Sequence, residues 1–179
     1  MTAAVDERVI VPTAAAMRDL GRHLAALLRA GDLVVLSGPL GAGKTTLAQG
    51  IGAGLGIRGP VTSPTFVIAR RHRNLGGGPD LVHADAYRLG SRAEVDDLDL
   101  DTDLATSVTV VEWGEGLVEN LAESFLAIGI GAADQAAGDA QPGRSPGDAD
   151  LPRMVHVQGW GERWADSAAA ARSALAAWR

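Results

Sequence analysis

Gly38-Pro39-Leu40-Gly41-Ala42-Gly43-Lys44-Thr45 is the stretch of this sequence that decides the fold. It fits the pattern G-x-x-x-x-G-K-[ST] of the phosphate-binding P-loop at every defined position. Lys44 is the only lysine in the chain. A lysine ammonium is a compact point charge that can enter such a loop, where the planar guanidinium of arginine is too wide. The stretch therefore predicts a site for phosphate groups, with Lys44 at its centre.

The residues on either side of this loop have the pattern that a P-loop requires. Leu33 to Leu36 is a short apolar run that predicts a buried strand, and Thr45 to Leu55 predicts a helix. Backbone N–H groups of the loop and the positive end of the helix dipole would face a bound phosphate. A glycine-rich turn without a ligand is the alternative, and the strand–loop–helix context argues against it.

Composition limits the classes of protein to which this chain can belong. The 179 residues, 46% of them hydrophobic, predict one domain over residues 1–179. A formal net charge of −6 without a basic stripe argues against direct nucleic-acid binding. The lack of cysteine excludes disulfides, thiolate metal sites and cysteine nucleophiles. Met1 to Arg8 does not resemble a signal peptide and no apolar run is long enough for a membrane span, so we expect a cytoplasmic protein without membrane contact.

Other segments of the chain alternate between strand and helix patterns. Thr13 to Ala30 predicts a helix with Thr13 as N-cap. Gly31 is expected to end this helix as a cap in the left-handed backbone conformation. Val108 to Val111 predicts a central strand. Further elements are predicted as a hairpin of Phe66 to Arg71 with Leu81 to Asp85, a short helix capped by Ser91, strands at Phe125 to Ile130 and Met154 to Val157, and a helix over Ala165 to Trp178. The alternation predicts a three-layer α/β fold of the P-loop NTPase type with a mainly parallel central sheet.

The segment from Ala132 to Pro152 differs from the rest of the chain. It is rich in alanine, glycine, aspartate and proline, a composition that predicts a flexible insertion. A loop that binds a partner is the alternative function for it, and a solvated linker agrees better with the composition.

Three residues are candidates for magnesium and for catalysis. The hydroxyl of Thr45 occupies the position of the usual P-loop ligand of Mg²⁺. The second ligand that the protein supplies is commonly a carboxylate. Asp85 and Glu112 each follow an apolar strand, at the edge where open α/β sheets place their ligands. We favour Glu112 for the metal because its strand is the more clearly central one, and expect Asp85 to assist the metal or orient the attacking water.

Neighbours of these carboxylates have two possible roles each. His83 is two residues from Asp85, so both side chains share one face of a strand, and His83 could contact the nucleotide or only fill the core. Trp113 could stack on a ligand, although packing is the usual role of tryptophan. Ser63-Pro64-Thr65 lies where nucleotide switches place a threonine, but turn chemistry explains the tripeptide equally well.

Four motifs in a fixed order identify a known family. They are Gly-Pro-Leu-Gly-Ala-Gly-Lys-Thr-Thr at 38–46, Ser-Pro-Thr-Phe at 63–66, His-x-Asp-x-Tyr-Arg-Leu at 83–89 and Glu-Trp-Gly-Glu at 112–115. Together they closely resemble the bacterial TsaE family, the small ATPase of the machinery that makes threonylcarbamoyladenosine in tRNA. The resemblance extends from Val11 to Glu115. Gly114 is often proline in that family, which is a small departure.

The resemblance implies a function and a set of partners. It implies binding of ATP and Mg²⁺, slow hydrolysis, and action on the TsaD and TsaB proteins. Those proteins transfer threonylcarbamoyl to an adenosine next to the tRNA anticodon, so the ATPase would touch tRNA only indirectly. Hydrolysis would reset the transferase between turnovers.

The resemblance also implies roles for individual residues. Thr45 and Glu112 would hold Mg²⁺, and Lys44, Asp85 and Glu112 would be the catalytic residues. The residues expected to contact the nucleotide are Thr13, Gly38, Leu40, Gly41, Ala42, Gly43, Lys44, Thr45, Thr46, Thr65 and Arg153. An arginine ahead of the last strand approaches the phosphates in the family, and here either Arg153 or Arg144 could take that place.

Three other functions share the P-loop. A GTPase would need a guanine-reading Asn/Thr-Lys-x-Asp motif, which is excluded because the only lysine lies in the P-loop. A small-molecule kinase would need an arginine-rich lid, which Arg70, Arg71 and Arg73 could imitate. In a nucleotide-gated binding module, ATP would fix a conformation and hydrolysis would be incidental.

Overall fold

The computed structural model describes residues 2–64, 68–89, 91–97, 100–133 and 151–178. The strands of this part of the chain are β1 Val5–Val11, β2 Leu33–Ser37, β3 Ala69–His72, β4 Asp80–Asp85, β5 Ser107–Glu112, β6 Phe125–Ala132 and β7 Arg153–Trp160. Its α-helices are α1 Ala14–Ala25, α2 Lys44–Gly54, α3 Arg92–Asp96, α4 Leu100–Leu104, α5 Glu162–Asp166 and α6 Ala168–Leu175.

All the described strands form one sheet in the order β1-β7-β6-β2-β5-β4-β3. The four central strands, β6, β2, β5 and β4, run parallel to one another. The outer strands β7, β1 and β3 pair antiparallel with their neighbours. The predicted α/β fold with a mainly parallel centre is therefore confirmed. The parallel strands all end at the same edge, which brings the ends of β2, β4 and β5 together.

Helices cover both faces of this sheet and make it the middle of three layers. Strand β2 is buried on both sides, and its alternating residues enter two separate cores. Val34 and Leu36 pack toward α1, α2 and α6, whereas Leu33 and Val35 pack toward α3 and α4. This explains why β2 and β5 have nearly continuous apolar sequences in place of an alternating pattern.

Helix α1 begins where the sequence predicted and ends earlier. Thr13 is its N-cap, and the Thr13 hydroxyl accepts a hydrogen bond from the N–H of Ala16 at 3.1 Å. The predicted end at Ala30 is wrong, because the helix stops at Ala25. The carbonyl of Leu27 accepts a bond from Arg163, a residue 136 positions away, and the N–H of Gly31 bonds to Ser107 at 2.9 Å. In a longer helix these two groups would bond to each other. Here each of them bonds to a residue distant in sequence.

Three more elements differ from the sequence prediction. Strand β1 was not predicted, although Val5, Val9 and Val11 are buried on it against β7. Helix α4 was also not predicted. The predicted helix from Ala165 to Trp178 is divided at Ser167 into α5 and α6, followed by a 3-10 turn over Ala176–Trp178.

The other predicted strands and helices agree in type with the structure where it describes them, with small differences in their bounds. Strands β3 and β4 form the predicted antiparallel hairpin, and β6 and β7 contain the two other predicted strands. Ser91 begins α3 with a complete capping box. Most of the predicted insertion lies outside the described residues. No described helix is long and apolar enough to cross a membrane.

Candidate nucleotide site

The P-loop connects the end of β2 to the start of α2. Gly38 has φ +135°, and a Cβ atom at this position would lie 2.2 Å from the carbonyl oxygen of Ile130, so no larger residue fits. Gly43 has φ +111° and is the N-cap of α2. Since it has no side chain, the first N–H groups of the helix donate no hydrogen bond to a side chain of the cap residue. Because a helix N-terminus carries unsatisfied N–H groups and positive dipole, α2 presents a site for an anion at this point.

Lys44 is the first residue of α2, and its side chain is almost fully buried inside the loop. Its ammonium Nζ donates to the carbonyls of Gly38 and Pro39 at 2.8 and 2.9 Å. The same Nζ lies 3.8 Å from the centre of the Trp113 ring, a cation–π contact. Burial lowers the pKa of Lys44, and the negative charges of Glu112 and Asp85 oppose this shift. The ammonium is therefore held among acceptors that a phosphate can replace.

Thr45 and Glu112 contact each other across the site. The hydroxyl of Thr45 donates to Glu112, with its Oγ1 at 2.9 Å from Oε1 and 3.0 Å from Oε2. His83 approaches the same carboxylate, with Nε2 2.8 Å from Oε1. Both Glu112 and His83 are buried. Glu112 comes from the end of β5 and Thr45 from the first turn of α2, so the parallel sheet brings them together.

These two groups fit Mg²⁺. Mg²⁺ prefers oxygen ligands such as hydroxyl and carboxylate groups. The hydrogen bond between Thr45 and Glu112 brings one hydroxyl oxygen and two carboxylate oxygens together beside the P-loop. The described residues contain no group of three or more His, Cys, Asp and Glu that could hold a metal ion. Mg²⁺ typically takes one or two protein ligands and completes its shell with phosphates and water.

Asp85 ends β4 beside Glu112, and the two residues are in register in the parallel pair. Its Oδ1 accepts a bond from the backbone N–H of Tyr87 at 2.9 Å, and its Oδ2 lies 3.4 Å from the hydroxyl of Ser63. Asp85 thus lies at the same edge of the sheet as Glu112, with contacts separate from the pair of Thr45 and Glu112.

A cavity of about 410 Å³ joins these groups. Of the predicted site residues, it is lined by Leu40, Gly41, Gly43, Lys44, Thr45, Thr46, Asp85 and Glu112. Its other lining residues are Ser63, Ile68, Tyr87, Arg88 and Trp113. This size suits a nucleotide's phosphates and sugar, because small-molecule sites typically enclose 300–1,000 Å³.

Several predicted residues do not line this cavity. Gly38 contributes its carbonyl to Lys44, and Ala42 packs into the larger core. Thr13 caps α1, and Arg153 begins β7 opposite Val11 and Ala132. Their contact with the base or the phosphates stays a prediction. Thr65 and Arg144 lie outside the described residues.

Trp113 lies at the site, where sequence reasoning favoured packing and left stacking on a ligand as the alternative. Its ring lines the cavity, contacts the Lys44 ammonium and lies 5.0 Å from the ring of Tyr87, and stacking on a ligand stays a prediction. Trp113 has φ +60° and Ile68 has φ +56°, the two positive values among described residues other than glycine. Both line the cavity, and strained backbone of this kind concentrates at functional sites. The position of Trp113 directly after Glu112 was the available signal.

Comparisons with known proteins identify relatives of this chain. The sequence model of the family described as "Threonylcarbamoyl adenosine biosynthesis protein TsaE" matches residues 11–140. The chain is 63% identical over 150 residues to "tRNA threonylcarbamoyladenosine biosynthesis protein TsaE" of Streptomyces coelicolor, covering 83% of this chain and 94% of that protein. It is 56% identical over 114 residues to the protein of the same name from Mycobacterium bovis, covering 60% of this chain and 68% of that protein.

A solved structure resembles this fold over most of the chain. The crystal structure of YdiB from Bacillus subtilis superposes with a TM-score of 0.69 at 27% identity, covering 94% of each chain. The family match includes the P-loop, the hairpin of β3 and β4, and the Glu112 strand. With the relative from Streptomyces similar over most of its length, the chain belongs to the TsaE family.

Proposed function

We propose that this protein is a Mg²⁺-dependent ATPase that serves the biosynthesis of threonylcarbamoyladenosine in tRNA. The contact of the Thr45 hydroxyl with the Glu112 carboxylate, next to a P-loop that holds Lys44, is the observation that carries the proposal. Membership of the TsaE family supports the place in tRNA modification, since its relatives are named for that biosynthesis.

The P-loop residues would bind the phosphates of ATP. Lys44 would exchange the carbonyls of Gly38 and Pro39 for the β- and γ-phosphate oxygens. Backbone N–H groups from Gly41 to Thr46 would donate to the same phosphates, helped by the dipole of α2. In this way the loop would supply most of the affinity, because each bond to a charged phosphate is stronger than a neutral one.

Thr45 and Glu112 would hold the magnesium ion. The chemistry that a bound Mg²⁺ would supply there is neutralisation of the phosphates' negative charge. Glu112 would hold its carboxylate toward the metal, and Thr45 would offer the hydroxyl oxygen. The hydrogen bond between them brings their oxygens together before a metal binds, which favours catalysis.

Asp85 would act on the attacking water. Its carboxylate faces the cavity from the strand next to Glu112, where it can accept a hydrogen bond from that water. Ser63 and the N–H of Tyr87 would keep the carboxylate in place. ATP and water would then give ADP and phosphate, without a covalent intermediate on the protein.

The partners would be the TsaD and TsaB proteins, and tRNA would be reached only through their complex. The chain's net charge of −6 supports a protein partner over direct nucleic-acid binding. Leu40 and Tyr87 line the cavity and remain 80% and 68% exposed, so apolar surface is available for a partner beside the site. We expect such contact to speed a hydrolysis that is slow in the isolated protein.

ATP hydrolysis by the purified protein, alone and with TsaB plus TsaD from the same organism, tests the proposal. We expect ADP release to rise sharply with both partners, together with repeated rounds of threonylcarbamoyl transfer to tRNA. The Lys44→Ala variant with the same partners is the control and should show neither effect. ADP release that does not change with the partners and rises only with a small phosphoryl acceptor would indicate a kinase instead.

A further inference from the structure

His83 is a buried polar residue to which the proposed mechanism assigns no role. It lies on β4 with no exposed surface, two residues before Asp85. Its side chain is on the same face of the sheet as Leu81, which is the face covered by α2. Glu112 projects from the same face of the neighbouring strand β5. The imidazole therefore lies between the sheet and the helix that carries Lys44 and Thr45.

One nitrogen of His83 makes a defined contact and the other makes none. Nε2 lies 2.8 Å from Oε1 of Glu112, whereas Nδ1 is buried without a partner among the described residues. A carboxylate only accepts hydrogen bonds, so the hydrogen of His83 must lie on Nε2 for this contact. The imidazole is thus a donor aimed at Glu112.

The unpaired Nδ1 argues against a role in packing alone. A buried polar atom without a partner destabilises the fold, and an apolar side chain of similar volume would avoid that cost. The contact with Glu112 is the feature that such an apolar side chain could not supply. Histidine at this position therefore matters for what it does to the carboxylate.

We propose that His83 is a positioning residue, which fixes the Glu112 carboxylate in the orientation that meets Thr45 and Mg²⁺. Glutamate has three rotatable side-chain bonds, and two donors define its orientation here, the Thr45 hydroxyl and the His83 Nε2–H. Carboxylates that bind metals are commonly held by such a second group, and removing it typically weakens metal affinity or activity 10- to 100-fold. The inference rests on the proposed magnesium site.

Two variants of His83 separate positioning from packing. His83→Leu fills the space without a donor, and His83→Gln carries an amide N–H that can take the place of Nε2. Mn²⁺ binding in the presence of ADP, followed by electron paramagnetic resonance, measures metal affinity without turnover. We expect His83→Leu to weaken Mn²⁺ affinity about 10- to 100-fold and to leave ADP affinity in EDTA unchanged, with His83→Gln recovering most of the loss.

A double-mutant cycle that combines His83→Leu with Glu112→Gln completes the test. In that background His83→Leu should cause no further loss of Mn²⁺ affinity, because the group it positions has already been changed. If His83→Leu does not fold, His83→Asn replaces it, since its shorter amide cannot reach Glu112. Unchanged Mn²⁺ affinity in His83→Leu, or equal losses in the leucine and glutamine variants, would overturn the inference alone. If the wild-type protein with ADP binds no Mn²⁺, both the inference and the proposed magnesium site fail.

Discussion

The ammonium of Lys44 lies 3.8 Å from the centre of the Trp113 ring, while it donates to the carbonyls of Gly38 and Pro39. The loop lysine is therefore held by the protein's own groups, in the place where phosphate oxygens would bind. A nucleotide must draw the ammonium away from these partners. Lys44 begins α2 and Trp113 directly follows β5, so this contact connects the P-loop to the strand that carries Glu112.

We expect Lys44→Ala to abolish detectable ATP binding, with affinity at least about 100-fold weaker. A hydrogen bond to a charged group contributes about 1.5–3 kcal/mol, and the lysine would make more than one such bond. Lys44→Arg is the matched variant, because it keeps the charge and changes only its shape. It should lose affinity as well, since a planar guanidinium does not fit among the Gly38 and Pro39 carbonyls. Calorimetric titration with ATP measures both variants, and unchanged affinity in Lys44→Ala would refute the site.

Trp113 should report nucleotide binding through its fluorescence. Removal of a cation from 3.8 Å above the indole changes the ring's electrostatic environment. We expect ADP to change the emission of the wild-type protein, and Trp113→Phe to lose that change although three other tryptophans remain. ADP affinity of this variant should change by no more than about fivefold, or about 1 kcal/mol. An equal signal from Trp113→Phe would mean that another tryptophan senses the nucleotide.

Substitutions of Glu112 and Asp85 should distinguish the residue that binds the metal from the residue that acts on the attacking water. Glu112→Ala should leave nucleotide affinity in EDTA largely intact and lower the hydrolysis rate by about 100-fold or more. Asp85→Asn should also slow hydrolysis, but the dependence of the rate on Mg²⁺ concentration should stay as in the wild-type protein. Titration of ADP release against Mg²⁺, with partners present, distinguishes the two. Normal hydrolysis by Glu112→Ala would make Asp85 the better metal candidate.

The sequence predicted that Lys44, Thr45 and Glu112 lie close together, because the signals for them are local. Lys44 and Thr45 belong to one short motif, and Glu112 follows an apolar strand whose place in the sheet is set by its composition. The contact of Glu112 with Thr45 spans 67 residues, yet it follows from parallel strands that end at one edge. Short motifs and buried strands thus carried the prediction.

Other features depend on contacts that no local pattern contains. Beyond the end of α1, Leu27 bonds to Arg163 and Gly31 bonds to Ser107, contacts distant in sequence, so propensity alone extended the helix too far. Strand β1 contains charged residues and relies on pairing with β7, which made it hard to recognise. The place of Trp113 beside Lys44 could not be predicted, because its left-handed backbone and this contact appear only in the folded chain.

The free energy of unfolding should depend on pH in part through Asp80. The N–H of Asn74 donates to its Oδ1 at 2.7 Å and lowers the pKa of Asp80 below 3.8, with a further contribution from Arg71 and against an opposing effect of burial. The folded state then binds fewer protons than the unfolded state, so the stabilisation is complete above pH 3.8 and disappears as pH falls below it. Urea unfolding between pH 3 and 7 should show a smaller loss of stability on acidification in Asp80→Asn than in the wild-type protein. Parallel curves for the two proteins would contradict the prediction.

Arg163 and Asp32 should stabilise the fold without affecting nucleotide binding. The guanidinium of Arg163 donates through Nε and Nη2 to the two carboxylate oxygens of Asp32, at 3.1 and 3.0 Å, and also to the carbonyl of Leu27. Asp32 precedes β2, at the opposite end of that strand from the P-loop.

Arg163→Met leaves the buried Asp32 charge without this partner, and we expect a loss of about 3 kcal/mol in the free energy of unfolding. In a double-mutant cycle with Asp32→Asn, the second substitution should cost much less than it does alone, because the ion pair is already broken. Urea denaturation supplies the free energies, and ATP affinity in all three variants should remain within about twofold of the wild-type value, a change below about 0.5 kcal/mol. Additive losses in the cycle would show that the two side chains act independently, and a large loss of ATP affinity would show that this end of β2 is coupled to the P-loop.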